Sequence, residues 1–312
     1  MIYLLRKLSI QSKLLLILLV VCISSILSIA YVGYQSGQQA LENSIFNQLN
    51  SLKEAKAYQI ETYFQNIRSQ VQTMSESPSV VSLMKEFKQA YQELDEEVIQ
   101  PQWNKKLQNY YTEEFLPKLA ENVEGKPLLF SYLPHGIAPR YLQYQYIANN
   151  IYPAGKKHFW ENPLDGSRYS QIHKTIQSIY RNFIVKFGYY DLFFIDAETG
   201  NVVYTVEKEV DFATNLNQGP YSRSNLAEVF KAVRKEGTPE VVAISDFEIY
   251  RASYAAPAAF IASPIFDGQQ FIGVLAFQIS IDEINRVMTS EGNWKRDGLG
   301  ESGETYLVGA DY

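Results

Sequence analysis

Residues 187–206 read FGYYDLFFIDAETGNVVYTV, and this stretch most constrains the fold. Asp191-Leu192-Phe193-Phe194-Ile195 is a short aromatic and β-branched run. Asn201-Val202-Val203-Tyr204-Thr205-Val206 is a second one. Asp196-Ala197-Glu198-Thr199-Gly200 between them carries turn chemistry, with Gly200 free to take positive φ. The stretch predicts a β-hairpin. One hairpin is marginal in water, so it requires partner strands and a covering helix.

Later segments supply both. Leu226, Val229, Phe230 and Val233 predict a helix that Ser224 or Asn225 caps and Gly237 ends. Three further strand signals follow, at Val241–Tyr250, Ala259–Phe266 and Phe271–Ile281, with Asp267-Gly268 as the turn between the last two. Gly273 interrupts the last run, as at a bulge or a close backbone approach. Five strands with one helix between the second and third predict an α+β domain, a PAS-like antiparallel sheet with helices packed on it.

The preceding sequence is helical in character. Leu14–Tyr34 contains no charged residue, and roughly 20 such residues cross a hydrocarbon core of about 30 Å. Arg6, Lys7 and Lys13 precede it, which places the N-terminus in the cytoplasm and the rest outside the inner (plasma) membrane. The rival reading is a cleaved signal peptide, with Ser28-Ile29-Ala30 as its small-x-small site. Leu41, Ile45, Leu49, Leu52, Ile60, Phe64, Ile67, Val71 and Met74 continue a helical stripe, in which Lys56 is out of place. That helix either covers one face of a domain or also pairs with its copy in a homodimer. Ser77 and Pro78 restart the chain as a second amphipathic helix carrying Val80, Met84, Phe87 and Tyr91. Ile172, Ile176, Ile179, Tyr180 and Phe183 predict the helix that leads into the hairpin.

Charge and cysteine exclude several functions. The formal net charge is −6; the first 34 residues carry +3, so the remainder carries the difference, −9. Nucleic acid is not an expected partner. Cys22 is the only cysteine, which rules out an intrachain disulfide and a multi-cysteine zinc site. His135, His158 and His173 lack ligand-like spacing, and Asp95-Glu96-Glu97 reads as a solvated acidic face. Gly298–Gly303 lacks the Lys-Ser/Thr pair of a phosphate loop. No metal, cofactor or catalytic group is expected.

The hairpin stretch, DFATNLNQGPYSRSNLAEVF, APAAFIASPIFDGQQFIGVLAFQISIDEINRVM and GLGESGETYLVG occur in that order. In this the chain resembles the double-Cache sensor regions of bacterial membrane receptors, over about residues 140–312. The opening helices are most similar to those of cyanobacterial adenylate/guanylate cyclase receptors. The resemblance implies the following divisions: 1–13 cytoplasmic, 14–34 transmembrane, 35–98 helical stalk, 99–288 membrane-distal sensor module, and 289–312 linker and first strand of a membrane-proximal module. It also implies an output domain beyond this chain: a nucleotide cyclase, or else a histidine kinase or chemotaxis domain. Amino-acid-binding members carry Arg-x-Trp-Tyr after the second strand. Here the loop reads Gly219-Pro220-Tyr221-Ser222-Arg223-Ser224, so an amino-acid ligand is not implied.

A small-molecule pocket is expected between the sheet and the loops after the second strand. Tyr221 and Arg223 come from that loop, and Asp246, Tyr250 and Tyr254 from the third strand and just beyond it. Asp246 and Tyr250 are an even number apart and are expected to share a face. Arg223 would pair an anionic group and Asp246 a cationic one. Two other readings remain at this level: a membrane-anchored module that binds a protein segment, and an inactive truncated receptor.

Overall fold

The computed structural model describes residues 9–293, 297–299 and 304–308. Arg6, Lys7, Gly300–Gly303 and Gly309–Tyr312 lie outside these. The chain divides into a unit of residues 1–59 and a unit of residues 60–312. The first is helical throughout its described part, as the opening of helix α1 (Ile10–Ser75). This helix holds the one described run long and apolar enough to cross a membrane, and its apolar side chains from Leu14 to Val32 are exposed.

The second unit is an α+β domain. After α1 come α2 (Pro78–Glu93), α3 (Pro101–Tyr110), α4 (Leu116–Ala120), α5 (Ile137–Gln143) and α6 (Arg168–Phe187). Strands β1 (Tyr189–Asp196) and β2 (Val202–Thr205) form the expected hairpin, followed by α7 (Asn225–Glu236). Then come β3 (Ala243–Ile244), β4 (Glu248–Tyr250), β5 (Ala256–Asp267), β6 (Gln270–Ser280) and α8 (Ile281–Met288). The antiparallel order is β2-β1-β6-β5-β3, with β4 also on β5. If β3 and β4 are counted as one interrupted strand, this is the five-strand PAS-like order.

Local chemistry explains most boundaries. Ser167 caps α6 by accepting from the Ser170 amide, and Gly188 ends it at φ 75°. Ser224 caps α7 and Gly237 ends it at φ 61°. Asp196 closes the hairpin turn by accepting from the Thr199 amide (3.2 Å) and hydroxyl (2.5 Å). Ser77 occupies the α2 N-cap position, but its hydroxyl bonds to Ser79 (2.8 Å) rather than to a helix amide. The β5–β6 turn is Gly268-Gln269, one residue later than the sequence suggests, because Asp267 pairs with Gln270.

Two expectations change. Val241–Tyr250 is not one strand. Ser245 exchanges bonds with the Phe260 backbone, and the Asp246 carboxylate takes the Phe247 amide (2.7 Å). Side-chain bonds of this kind compete with the ladder. The register accordingly slips by one residue between Ile244↔Ile261 and Glu248↔Ala258. Glu304–Val308, expected to open a further strand, has no regular structure.

The sheet is buried on both faces. Phe194 meets Phe87 of α2 (6.3 Å) and Tyr180 of α6 (5.6 Å), while neighbouring Phe193 points the other way to Phe260 (5.9 Å). The apolar stripe of α1 is buried only from Ile60 onward, at Ile60, Ile67 and Val71. α8 returns to this helix: Ile284 and Met288 cluster with Ile60, Tyr63 and Phe64.

Gly273 is a close approach. A Cβ there would meet Met84 Sδ at 2.6 Å and the Ile195 carbonyl at 3.1 Å. Gly273→Ala is expected to cost about 1–3 kcal/mol, the range for overpacking. Adding Met84→Ala should recover part of that loss in a double-mutant cycle read by chemical denaturation. Strict additivity of the two changes would refute the contact.

Candidate functional site

The chain leaving β2, residues 207–212, is charged in sequence yet turns inward. The turn is held by Asp191 on β1, whose Oδ1 accepts from the amides of Leu192 (2.6 Å), Val206 (2.8 Å) and Glu207 (3.1 Å). Lys208 (φ 60°) and Ala213 (φ 63°) adopt left-handed backbone, which costs a non-glycine residue energy and marks constrained segments. Between them the Glu209 and Asp211 side chains pass under the sheet.

There they form one polar cluster, buried at Asp211 and half-buried at Glu209. Asp211 Oδ2 accepts from the Tyr250 hydroxyl at 2.6 Å. Glu209 accepts from Tyr190 (2.6 Å) and from Ser253 (2.5 Å), whose hydroxyl in turn accepts from the Gln278 amide (3.1 Å). Tyr250 packs against Phe260 at 4.9 Å and Tyr221 at 6.1 Å. The sheet supplies the floor, the 207–212 loop one wall, and the loop before α7 the cover. Three buried atoms in this cluster have no hydrogen-bond partner among the described residues: Asp211 Oδ1, Tyr221 Oη and Gln278 Oε1. Unmet buried polar atoms are rare, and each costs on the order of 1–3 kcal/mol.

Burial dominates the electrostatics. It raises the Glu209 carboxyl well above the usual range, reinforced by Asp211. It raises Asp191 likewise, reinforced by Glu207 and Asp211. It pushes Asp211 up to about 6, against the bond from Tyr250, which favours the charged form. Lys208, behind the loop, bonds to the Thr205 carbonyl and to Gln177 (3.4 Å), and its amine faces the Tyr204 and Phe212 rings. Burial lowers it to about 7, against the pull of Asp191, Glu207 and Asp211. The cluster is acceptor-rich and aromatic-walled, with Asp211 as the carboxyl in it that ionises near neutral pH, an arrangement suited to a hydrogen-bond donor or a cation.

The sequence-derived candidates divide. Tyr221 and Tyr250 meet in the cluster. Tyr254, left-handed at φ 55°, stands near it, 5.7 Å from Phe115, under the Lys118 amine. Arg223 and Asp246 are exposed and do not join them. The expectation that Asp246 and Tyr250 share a face is corrected: the one-residue slip turns Tyr250 inward and leaves Asp246 out. The cluster's main charges, Glu209 and Asp211, were missed. Their only signal is a charged run alternating with Val210 and Phe212, which reads equally as a surface loop. No group of three or more His, Cys, Asp or Glu able to hold a metal occurs among the described residues.

Two surface hollows lie elsewhere in this unit. An open apolar groove of about 750 Å³ is lined by Val80, Leu83, Ile176, Ile179 and Phe183, with hydroxyls and amides of α1 along one side. A polar pocket of about 420 Å³ includes Tyr91, Asp95, His135 and Asn215.

No family profile and no curated protein matches the chain. Among solved structures, the sensor domain of the Vibrio cholerae histidine kinase DctB aligns at 13% identity and a TM-score of 0.27, over 60% of each chain. An extracellular ligand-binding receptor from Desulfohalobium retbaense aligns at 13% identity and a TM-score of 0.26, over 62% of this chain and 28% of that one. The chain spans less than two thirds of either structure.

Tyr250→Phe removes the donor to Asp211. The bond is stronger to the ionised form, so the loss should be about 1–3 kcal/mol above pH 7 and smaller at pH 5, where Asp211 is protonated. Denaturation at the two pH values checks this; an equal loss at both would contradict it.

Proposed function

We propose that this chain is the extracytoplasmic sensory part of a membrane-anchored receptor, and that it binds a small molecule bearing a protonated amine. The single observation carrying this reading is that Asp211 Oδ1, Tyr221 Oη and Gln278 Oε1 are each buried and without partners among the described residues, on side chains joined through Tyr250, Ser253 and Glu209. An ammonium group offers three N–H donors and a charge that rings and carboxylates favour. The ligand would enter by displacement of the Tyr221 loop, since the cluster is otherwise closed over.

Leu14–Tyr34 is the membrane anchor in this reading, with the N-terminus cytoplasmic by its cationic flank. Ligand binding biases the loop and the packing of α8 against the Ile60–Phe64 part of α1. A ligand shifts such an equilibrium only as far as it prefers one arrangement. The output domain of the receptor is of the nucleotide-cyclase kind by sequence resemblance, and α1 acts in a homodimer. In this reading the chain senses, and any catalysis belongs to the output domain.

The test is a thermal-shift screen of the full chain in nanodiscs against amines, amino acids, organic acids, purines and sugars. An amine at a hundredfold its Kd should stabilise by about 2.7 kcal/mol, a rise of several degrees. Asp211→Asn should abolish the shift and Asp246→Ala should not. A rise from organic acids alone, or one that survives Asp211→Asn, would refute the cationic reading.

A further inference from the structure

We propose that Asp211 and Lys208 form a proton switch that sets the charge of the buried chamber, so that the sensor admits its cationic ligand only above a threshold pH. The proposal rests on the reading of the chamber as a cation site.

The geometry supports it. Asp211 and Lys208 lie three residues apart on one inward-turned loop, held by left-handed backbone at 208 and 213. Both are fully buried. Among the described residues neither has a salt-bridge partner in contact: the Lys208 amine bonds to the neutral Thr205 carbonyl and Gln177 amide, and Asp211, which receives the Tyr250 hydroxyl, is held ionised further only by the backbone amides of Asp211 and Phe212 and the field of Lys208. A buried charge without a counter-ion in contact is held in its ionised form only at a cost, so each group leans toward neutrality.

The surroundings push the two groups differently. From β1, the Asp191 carboxylate attracts the Lys208 proton, as does Glu207 on the same loop, itself bonded to His158 at 2.8 Å. From α6, His173 is kept neutral by burial and by Lys208. β2 and the segment after α5 present the uncharged Tyr204 and Tyr146 to the amine. On the Asp211 side, Tyr250 of β4 favours the carboxylate, while Glu209 lies within electrostatic reach. Burial of Lys208 lowers it to about 7 and burial of Asp211 raises it to about 6. On raising the pH through this interval, Asp211 gains a negative charge and Lys208 loses a positive one. Both changes make the chamber more negative, so two charge steps act together.

The signs for stability are opposite. A carboxyl raised on folding binds more protons in the folded state, so Asp211 stability is lost as pH rises from about 4 to about 6. A lysine lowered on folding binds fewer, so Lys208 contributes stability that increases as pH rises from about 7.

The experiment uses the full chain in nanodiscs without ligand. Lys208→Met keeps the length of the side chain and removes its charge. Its midpoint advantage over the unmodified chain should be constant below pH 7 and shrink by several degrees by pH 9; a constant difference across pH 6–9 would overturn the proposal. Infrared difference spectra cover Asp211 without relying on stability. A carboxylic-acid band present at pH 5.5, lost by pH 8 and missing in Asp211→Asn is expected; no such band would overturn it. Methylammonium, protonated throughout this range, is the binding probe. Its affinity should be weaker at pH 5.5 than at pH 8 by on the order of a hundredfold. Equal binding at both values would overturn the switch and leave the cation site standing. Absence of binding at both, with the two ligand-free titrations as expected, would support the switch and refute the cation site.

Discussion

The interaction on which the site depends is the grip of Asp191 on the end of β2. One carboxylate oxygen gathers three backbone amides where the hairpin finishes. Without it the charged run after Val206 has every reason to stay in water. With it the run is turned under the sheet, Lys208 and Asp211 are committed to burial, and Glu209 is half-buried. The same carboxylate leaves Oδ2 buried and unpaired, so the fold carries unmet polar capacity at this corner. That capacity is an energetic liability for folding and a resource for binding.

The two faces of the sheet are built for different ends. On the face toward α2 and α6, Phe87, Phe194, Tyr180 and Tyr204 pack ring to ring, with ring centroids about 5–6 Å apart. Gln177 reaches into that layer and bonds to Tyr204, the His158 carbonyl and the Val206 carbonyl. This face is largely satisfied, with His173 Nε2 as an unpaired atom in it. The face of Phe193, Phe260 and Gln278 is partly satisfied, and its unmet atoms all lie at the end covered by loops. Loops can open at less cost than packed helices, so the proposed reading puts the responsive part of the domain at that end.

The hairpin, the helices that flank it and the sheet order were legible in the sequence because they rest on local patterns. Alternation, capping serines and left-handed glycines act within a few residues of themselves. The site was legible in part. Tyr221 and Tyr250, picked out on a loop and a strand after the hairpin, do fall in the candidate cluster. Asp246 was misplaced because a one-residue bulge reverses the side of every later residue, and the bulge comes from bonds to Phe260 and Phe247 that no spacing reveals. Glu209 and Asp211 were missed because charge in a loop ordinarily signals solvent.

The sequence by itself determined the apolar N-terminal helix, the α+β class and the antiparallel element order. Hydrophobic period and turn chemistry are properties of neighbouring residues. Only the tertiary structure decided which charges are buried. Burial of Asp211 and Lys208 depends on an aspartate some 20 residues earlier and on strands some 40 to 70 residues later. The desolvation that shifts their protonation exists only once those parts have closed around them.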